Sequence, residues 1–177
     1  MRQAAVAIIL RERSDRTDIL FIHRADRPGD PWSGHMAFPG GHRDPTDPGL
    51  RAAAERETRE EIGLDLNGAE YLGALGHQRA MPRGRTLDLL IAPHVFVIEG
   101  DPGFEPNVEV QEVVWTSLPR LAGNHCHDTQ TLPMAGKPTI FNGYRLEQGH
   151  FVWGLTYRML KSFFTAIDPE WQPPKEY

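Results

Sequence analysis

Residues 40–64 read GGHRDPTDPGLRAAAERETREEIGL, and the rest of the chain is best read outward from them. Two glycines lead into a turn with Asp44-Pro45 and Asp47-Pro48, and a helical run follows. Asp47 suits an N-cap, with Pro48 at the first helical position and Gly63 just past the end. Residues four apart on a helix stack on one face. Arg51, Glu55 and Arg59 form a column of alternating charge, Ala52, Arg56 and Glu60 a column with its own ion pair, and Leu50, Ala54, Thr58 and Ile62 an apolar column. The last column, Ala53, Glu57, Glu61 and Asp65, is acidic below its alanine, and no cation three or four residues away faces Glu57 or Glu61. Such like-charge stacking costs about 0.2–0.5 kcal/mol per pair. It suits either a solvated charged face or a hard divalent cation, which takes oxygen ligands.

Gly41, Arg56-Glu57, Glu60-Glu61 and Gly63-Leu64 resemble the signature of the Nudix hydrolase family. That signature is a glycine, a spacer, then Arg-Glu-x-x-Glu-Glu-x-Gly and an aliphatic residue. The helical half matches at every fixed position. In the first half the acidic residue is Asp47 instead of a glutamate, and the spacer to Arg56 is one residue longer than the common form. That longer spacer resembles the coenzyme A pyrophosphatase branch. Phe38-Pro39-Gly40-Gly41 and Val152-Trp153-Gly154-Leu155-Thr156 extend the resemblance over most of the chain.

The resemblance implies an α/β fold, an α/β/α sandwich with a mixed β-sheet, and hydrolysis of a diphosphate linkage with Mg²⁺ or Mn²⁺. It implies Glu57 and Glu61 as main metal ligands, Glu60 as an auxiliary one and the carbonyl of Gly40 as another. Arg56 orients a neighbouring carboxylate, and the base is Glu57 itself or a loop carboxylate such as Glu109. In the branch pattern, Leu20-Phe21-Ile22-His23-Arg24-Ala25 keeps Arg24 but has Ile22 for a threonine and Ala25 for a serine; Asp30 stands where a later arginine is expected. Gly34 and Phe38 match. Coenzyme A, nucleotide sugars, ADP-ribose and nucleoside triphosphates all stay open as substrates.

Composition narrows the class. A chain of 177 residues with 40% hydrophobic and 24% charged residues fits one globular domain, expected over 1–168, with a loose Pro-rich tail at 169–177. A formal charge of −5 argues against a nucleic-acid surface. A bound metal and local arginines can still invert the sign for an anionic small molecule. The single cysteine, Cys126, permits no intrachain disulfide, which fits a reducing cytoplasm. No run approaches the ~20 apolar residues of a membrane span, and the N-terminus lacks signal-peptide character. A homodimer is left open.

Ala4–Leu10, Ile19–His23, Glu70–His77, Leu87–Ile98 and Val110–Trp115 read as strands, and Phe151–Ile167 as a second helix whose apolar stripe is core. Gly40 and Gly41 either permit a turn or let backbone approach a cation or phosphate. Between two strands, GHQRAMPRGR carries Arg79, Arg83 and Arg85. It reads as a solvated hairpin tip or as a loop whose guanidiniums bind phosphates, alongside Arg24 and Gly41. Glu109 sits at a loop edge, and Glu112 reads as an outward strand residue. His125-Cys126-His127-Asp128 reads as a polar loop, since adjacent ligands cannot easily wrap one zinc ion. A non-catalytic binding module would have lost box carboxylates; Glu57, Glu60 and Glu61 are all present. Isoprenoid isomerase chemistry would need a reactive cysteine, for which only Cys126 is available.

Overall fold

The apolar run near the N-terminus forms strand β1 (Arg2–Glu12), the centre of an eight-stranded mixed sheet. The computed structural model describes residues 1–80 and 88–177. β1 runs parallel to β7 (Leu89–Ile98), in register from Arg2 opposite Leu89 to Arg11 opposite Ile98. Its other flank is shared by two antiparallel partners. β4 (Gly40–His42) pairs at Ala4 to Val6, and β2 (Thr17–Arg24) pairs at Leu10 to Glu12. β2 also carries β3 (Met36–Ala37) and β8 (Val110–Ser117), while β5 (Glu70–Ala74) and β6 (Gln78–Arg79) pair with β7.

A strand covered on both faces needs apolar residues at successive positions. β1 meets that need. Ala5, Ala7 and Ile9 pack with Ala53, Ala54 and Ile62 of helix α1 (Leu50–Ile62), where small side chains let helix and sheet close together. Ala4, Ile8 and Leu10 pack on the opposite face with Tyr157, Met159, Leu160 and Phe164 of the last helix. The result is the expected three-layer arrangement.

The C-terminal region differs from the sequence reading. Residues 151–167 are not one helix. After the short helix α2 (Leu118–Ala122), β9 (His127–Met134), β10 (Lys137–Arg145) and β11 (Phe151–Trp153) form a separate three-stranded sheet, and α3 spans Gly154–Ile167. Gly154 adopts φ +65°, which glycine takes without strain, and so turns the chain from strand into helix. Val152 is therefore buried from a strand, and Ile167, expected in the core stripe, is 55% exposed. His127 and Asp128 belong to β9, not to a loop.

The tail, expected to be loose, is tied down. Trp171 Nε1 donates to the carbonyl of Ala122 at 2.7 Å, and its ring packs on Phe164. Glu176 accepts from Tyr157 and Lys161, and the Tyr177 amide donates to Asn142 Oδ1. Aromatic and charged side chains interspersed with the prolines supply these anchors. No described helix is long and apolar enough to cross a membrane.

Candidate active site

Helix α1 begins at Leu50, and its N-cap is Gly49 with no side-chain cap. Asp47 is not the cap expected from sequence because it has a stronger partner. Arg56 donates to it in forked fashion, Nε to Oδ1 at 3.0 Å and Nη2 to Oδ2 at 2.9 Å, and the Asp44 amide adds a third bond. Charge-assisted forks of this kind outweigh a single cap bond. The Arg56 guanidinium holds the Asp47 carboxyl well below the usual carboxylate range. Arg56 also reaches the His42 carbonyl, both Glu60 oxygens and Glu57 Oε1, the last at 3.1 Å. Glu57 thus has a cationic neighbour that helical spacing hid. Adjacent residues do not face each other on a helix, but a long side chain drawn across to Asp47 passes its neighbour.

The two stacked glutamates meet β4. Glu61 is 1% exposed. The Gly40 amide donates to its Oε1 at 2.7 Å, while Oε2 is buried with no hydrogen-bond partner among the described residues. Burial, and then the charge of Glu57, push the Glu61 carboxyl up to about 8 against the single Gly40 bond. Burial also raises Glu57. The Glu57 carboxylate lies directly over Gly41: a Cβ there would sit 2.5 Å from Glu57 Cδ. A Cβ on Gly40 would sit 2.3 Å from the Ala5 carbonyl oxygen. Backbone closes the space at Gly40, and a side chain at Gly41 would displace the Glu57 carboxylate, so the glycine pair serves close approach rather than a left-handed turn.

Glu57, Gly40 and Gly41 line a cavity of about 810 Å³ together with Arg24 and Glu109. Trp32, Met36, Ile140, Phe141 and Trp153 add aromatic and apolar wall, and Asp30, Arg158, Lys161 and Glu176 add charged groups. Arg24 is half-committed: Nη2 bonds Asp30 at 2.6 Å and Nε is buried without a partner among the described residues. Glu109 receives Arg27 Nη1 on Oε1 at 2.9 Å, and its carbonyl accepts the Ala25 amide. The Asn107 amide donates to the Glu61 carbonyl, which seats the Glu109 loop on the end of α1.

The structure therefore gathers Glu57, Glu61, Gly40, Gly41, Glu109 and Arg24. Glu60 lies on the outer side, its carboxylate 55% exposed and spent on Arg56. Arg79 is exposed on β6, its carbonyl taken by Arg158, and it does not line the cavity. Arg83 and Arg85 lie outside the described residues. Cys126 is apart from the cavity lining, and burial pushes its thiol up, the opposite of a reactive thiolate. Sequence reasoning missed Arg27, Asp47 as an anchor for Arg56, and the aromatic wall. No spacing rule links Arg27 to Glu109 or Phe141 to Trp153, because each pair meets only through the fold.

The donor set suits a hard cation. Two carboxylates raised by burial stand one helical turn apart, and one buried carboxylate oxygen lacks a partner among the described residues. An uncompensated carboxylate in that position is costly, and a divalent ion on oxygen ligands would offset the cost.

Comparison with known proteins shows the family and the fold. Residues 1–133 match the family model of the NUDIX domain. The Nudix hydrolase NudL of Enterobacter is 31% identical over 170 residues, spanning 94% of this chain and 83% of that protein. The peroxisomal coenzyme A diphosphatase NUDT7 of Mus musculus is 26% identical over 162 residues, 88% of this chain and 66% of the relative. A Schizosaccharomyces pombe protein, C14C4.10c, is 39% identical over 97 residues, 53% of this chain but only 28% of that much longer protein. Among solved structures, the Nudix hydrolase RenU of M. smegmatis superposes with a TM-score of 0.63 at 15% identity, over 99% of this chain and 89% of that one. The C. elegans Ap4A hydrolase does so with a TM-score of 0.57 at 19% identity, over 70% and 85%.

Proposed function

This chain belongs to the NUDIX domain family, and on that premise we propose that it is a divalent-metal-dependent pyrophosphohydrolase. Its substrate is a nucleoside diphosphate joined to a second moiety, with coenzyme A or a derivative as the leading case. The observation that carries the reading is the Glu57–Glu61 pair packed on Gly40 and Gly41, with Glu61 Oε2 buried and unpartnered.

In this reading Glu57 and Glu61 would hold Mg²⁺ or Mn²⁺, with the Gly40 carbonyl as an auxiliary, while Glu60, turned outward onto Arg56, would not reach the ion. When bound, such an ion would offset phosphate charge and make water a better nucleophile. Arg56, anchored on Asp47, fixes Glu57 in orientation. Gly41, without a side chain, leaves room for the Glu57 carboxylate over the strand. Water attacks one phosphorus, the bridging P–O bond breaks, and the proton of the water passes to a carboxylate. Glu109 is the better placed acceptor: it lines the cavity, Arg27 holds its Oε1, and Glu57 is already committed.

Coenzyme A is supported by the relatives named coenzyme A diphosphatases, including the mitochondrial enzyme NUDT8 of Mus musculus, 27% identical over 157 residues. One observation favours a second reading, a nucleotide sugar or ADP-ribose with only two phosphates: Asp30 already takes up Arg24 Nη2, so this arginine offers less charge to an extra phosphate. A reducing compartment such as the cytoplasm fits the lone cysteine.

The test is purified protein with Mg²⁺ or Mn²⁺ against coenzyme A, ADP-ribose, dinucleotides, nucleotide sugars and nucleoside triphosphates. Glu57→Gln and Glu61→Gln should each abolish turnover with the fold intact, and Glu109→Gln should lower kcat about 100-fold or more. Full activity in both box variants refutes the assignment of roles.

A further inference from the structure

A second group of ligand-bearing side chains lies outside the cavity lining. His23 on β2 and Glu112 on β8 are direct cross-strand neighbours in an antiparallel pair, so their side chains share a face. His150 joins them from the turn before β11, a turn closed by bonds between Leu146 and His150 and between Gly149 and Leu146. His150 Nε2 lies 3.0 Å from Glu112 Oε2, and the two imidazole rings are 4.7 Å apart. One ligand atom from each of the three residues lies within 4.8 Å of the other two.

We propose that His23, Glu112 and His150 form a second metal site, selective for a zinc-class divalent ion and distinct from the carboxylate centre at Glu57 and Glu61. Two imidazoles and one carboxylate are borderline donors that suit zinc and its transition-metal neighbours, whereas magnesium prefers an all-oxygen shell. Tetrahedral zinc with ligands at about 2.0–2.1 Å places its donor atoms about 3.3 Å apart. The His150–Glu112 pair is already near that separation. The remaining closure falls within side-chain rotation, since Glu112 is 48% and His150 23% exposed. The same exposure leaves a fourth position for water. A plain His–Glu hydrogen bond would account for His150 and Glu112 but gives no role to a second imidazole.

The position gives such an ion a consequence. The β2–β8 register shifts between His23 and Arg24, so His23 sits at the irregularity that sends Arg24 into the cavity wall. His150 immediately precedes β11, whose Trp153 forms another part of that wall. An ion on the three residues would join these two walls.

Zinc titration by calorimetry, with metal analysis after gel filtration, tests the proposal. The Glu57→Gln/Glu61→Gln protein removes the oxygen-rich centre and should still bind about one equivalent of Zn²⁺. Adding His23→Ala or His150→Ala should weaken that binding at least tenfold, and Co²⁺ should lose its tetrahedral visible absorption. In parallel, otherwise unaltered protein saturated with Mg²⁺ should bind one Zn²⁺ that His150→Ala removes, so the result does not hinge on the double variant folding. Zinc stoichiometry and affinity unaffected by both histidine substitutions, or no zinc bound under Mg²⁺ saturation, would overturn it.

Discussion

Replacing Glu61 by glutamine should make the ion-free protein less sensitive to rising pH, and more stable than the parent at pH 8. In the folded, metal-free chain the Glu61 carboxyl titrates at about 8, against an ordinary value of 4.5. A folded-state value above the unfolded one means that the folded protein holds the extra proton between those limits. Stability is therefore full below about pH 4.5, falls as pH rises, and levels off above about 8. At about 1.4 kcal/mol per pH unit, the loss between pH 5.5 and 8 is about 3 kcal/mol, large beside a typical domain stability of about 5–15 kcal/mol. Glutamine can still accept the Gly40 amide, but its NH₂ takes the place of the unpartnered Oε2. That costs about 1–3 kcal/mol at every pH and leaves the slope unaffected. The assay is urea denaturation in EDTA at several pH values, comparing the parent with Glu61→Gln. Mg²⁺ should restore part of the loss at pH 8 in the parent and none in the variant. Parallel pH profiles for the two proteins would refute the reasoning, since they would mean that Glu61 ionises without penalty.

Arg56→Ala should strip the buried Asp47 of its forked partner. A destabilisation of about 2–3 kcal/mol is expected, discounted from the usual cost of breaking a buried pair because Arg56 is 27% exposed; urea denaturation reads it, and kcat should fall more than KM rises. Gly41→Ala would force the Glu57 carboxylate off the strand, so Mn²⁺ affinity by calorimetry should drop at least tenfold with far-UV circular dichroism unchanged. Trp171→Ala removes the bond to Ala122 and the packing on Phe164; a loss of about 1–2 kcal/mol in thermal unfolding is expected, where a loose tail would give none.

Some of this was legible because it is local. A run of β-branched and small apolar residues announces a strand buried on both faces, and β1 is one. The acidic column on α1 follows from the helical period alone, and the structure brings Glu57 and Glu61 to the same glycine pair. Other readings failed where a distant partner outbid a local rule. Asp47 had the chemistry of a cap but went to Arg56, nine residues on. Phe151 to Trp153 had a helical stripe but also strand-forming residues, and β10 supplied the hydrogen bonds that settled the matter. The tail's prolines pointed to looseness, yet Trp171 found a carbonyl and a ring to pack on.

By itself the sequence determined the family, the sheet-and-helix class and the carboxylate ladder, because these depend on residue type and on spacings shorter than one element. The tertiary structure alone decided which ladder oxygen is left without a partner, that Arg27 holds Glu109, that Asp30 occupies Arg24, and that His23, Glu112 and His150 converge. Desolvation and long-range pairing are properties of a packed chain. A carboxylate's burial, and hence its proton affinity, depends on which strands close over it, and no spacing along the chain encodes that.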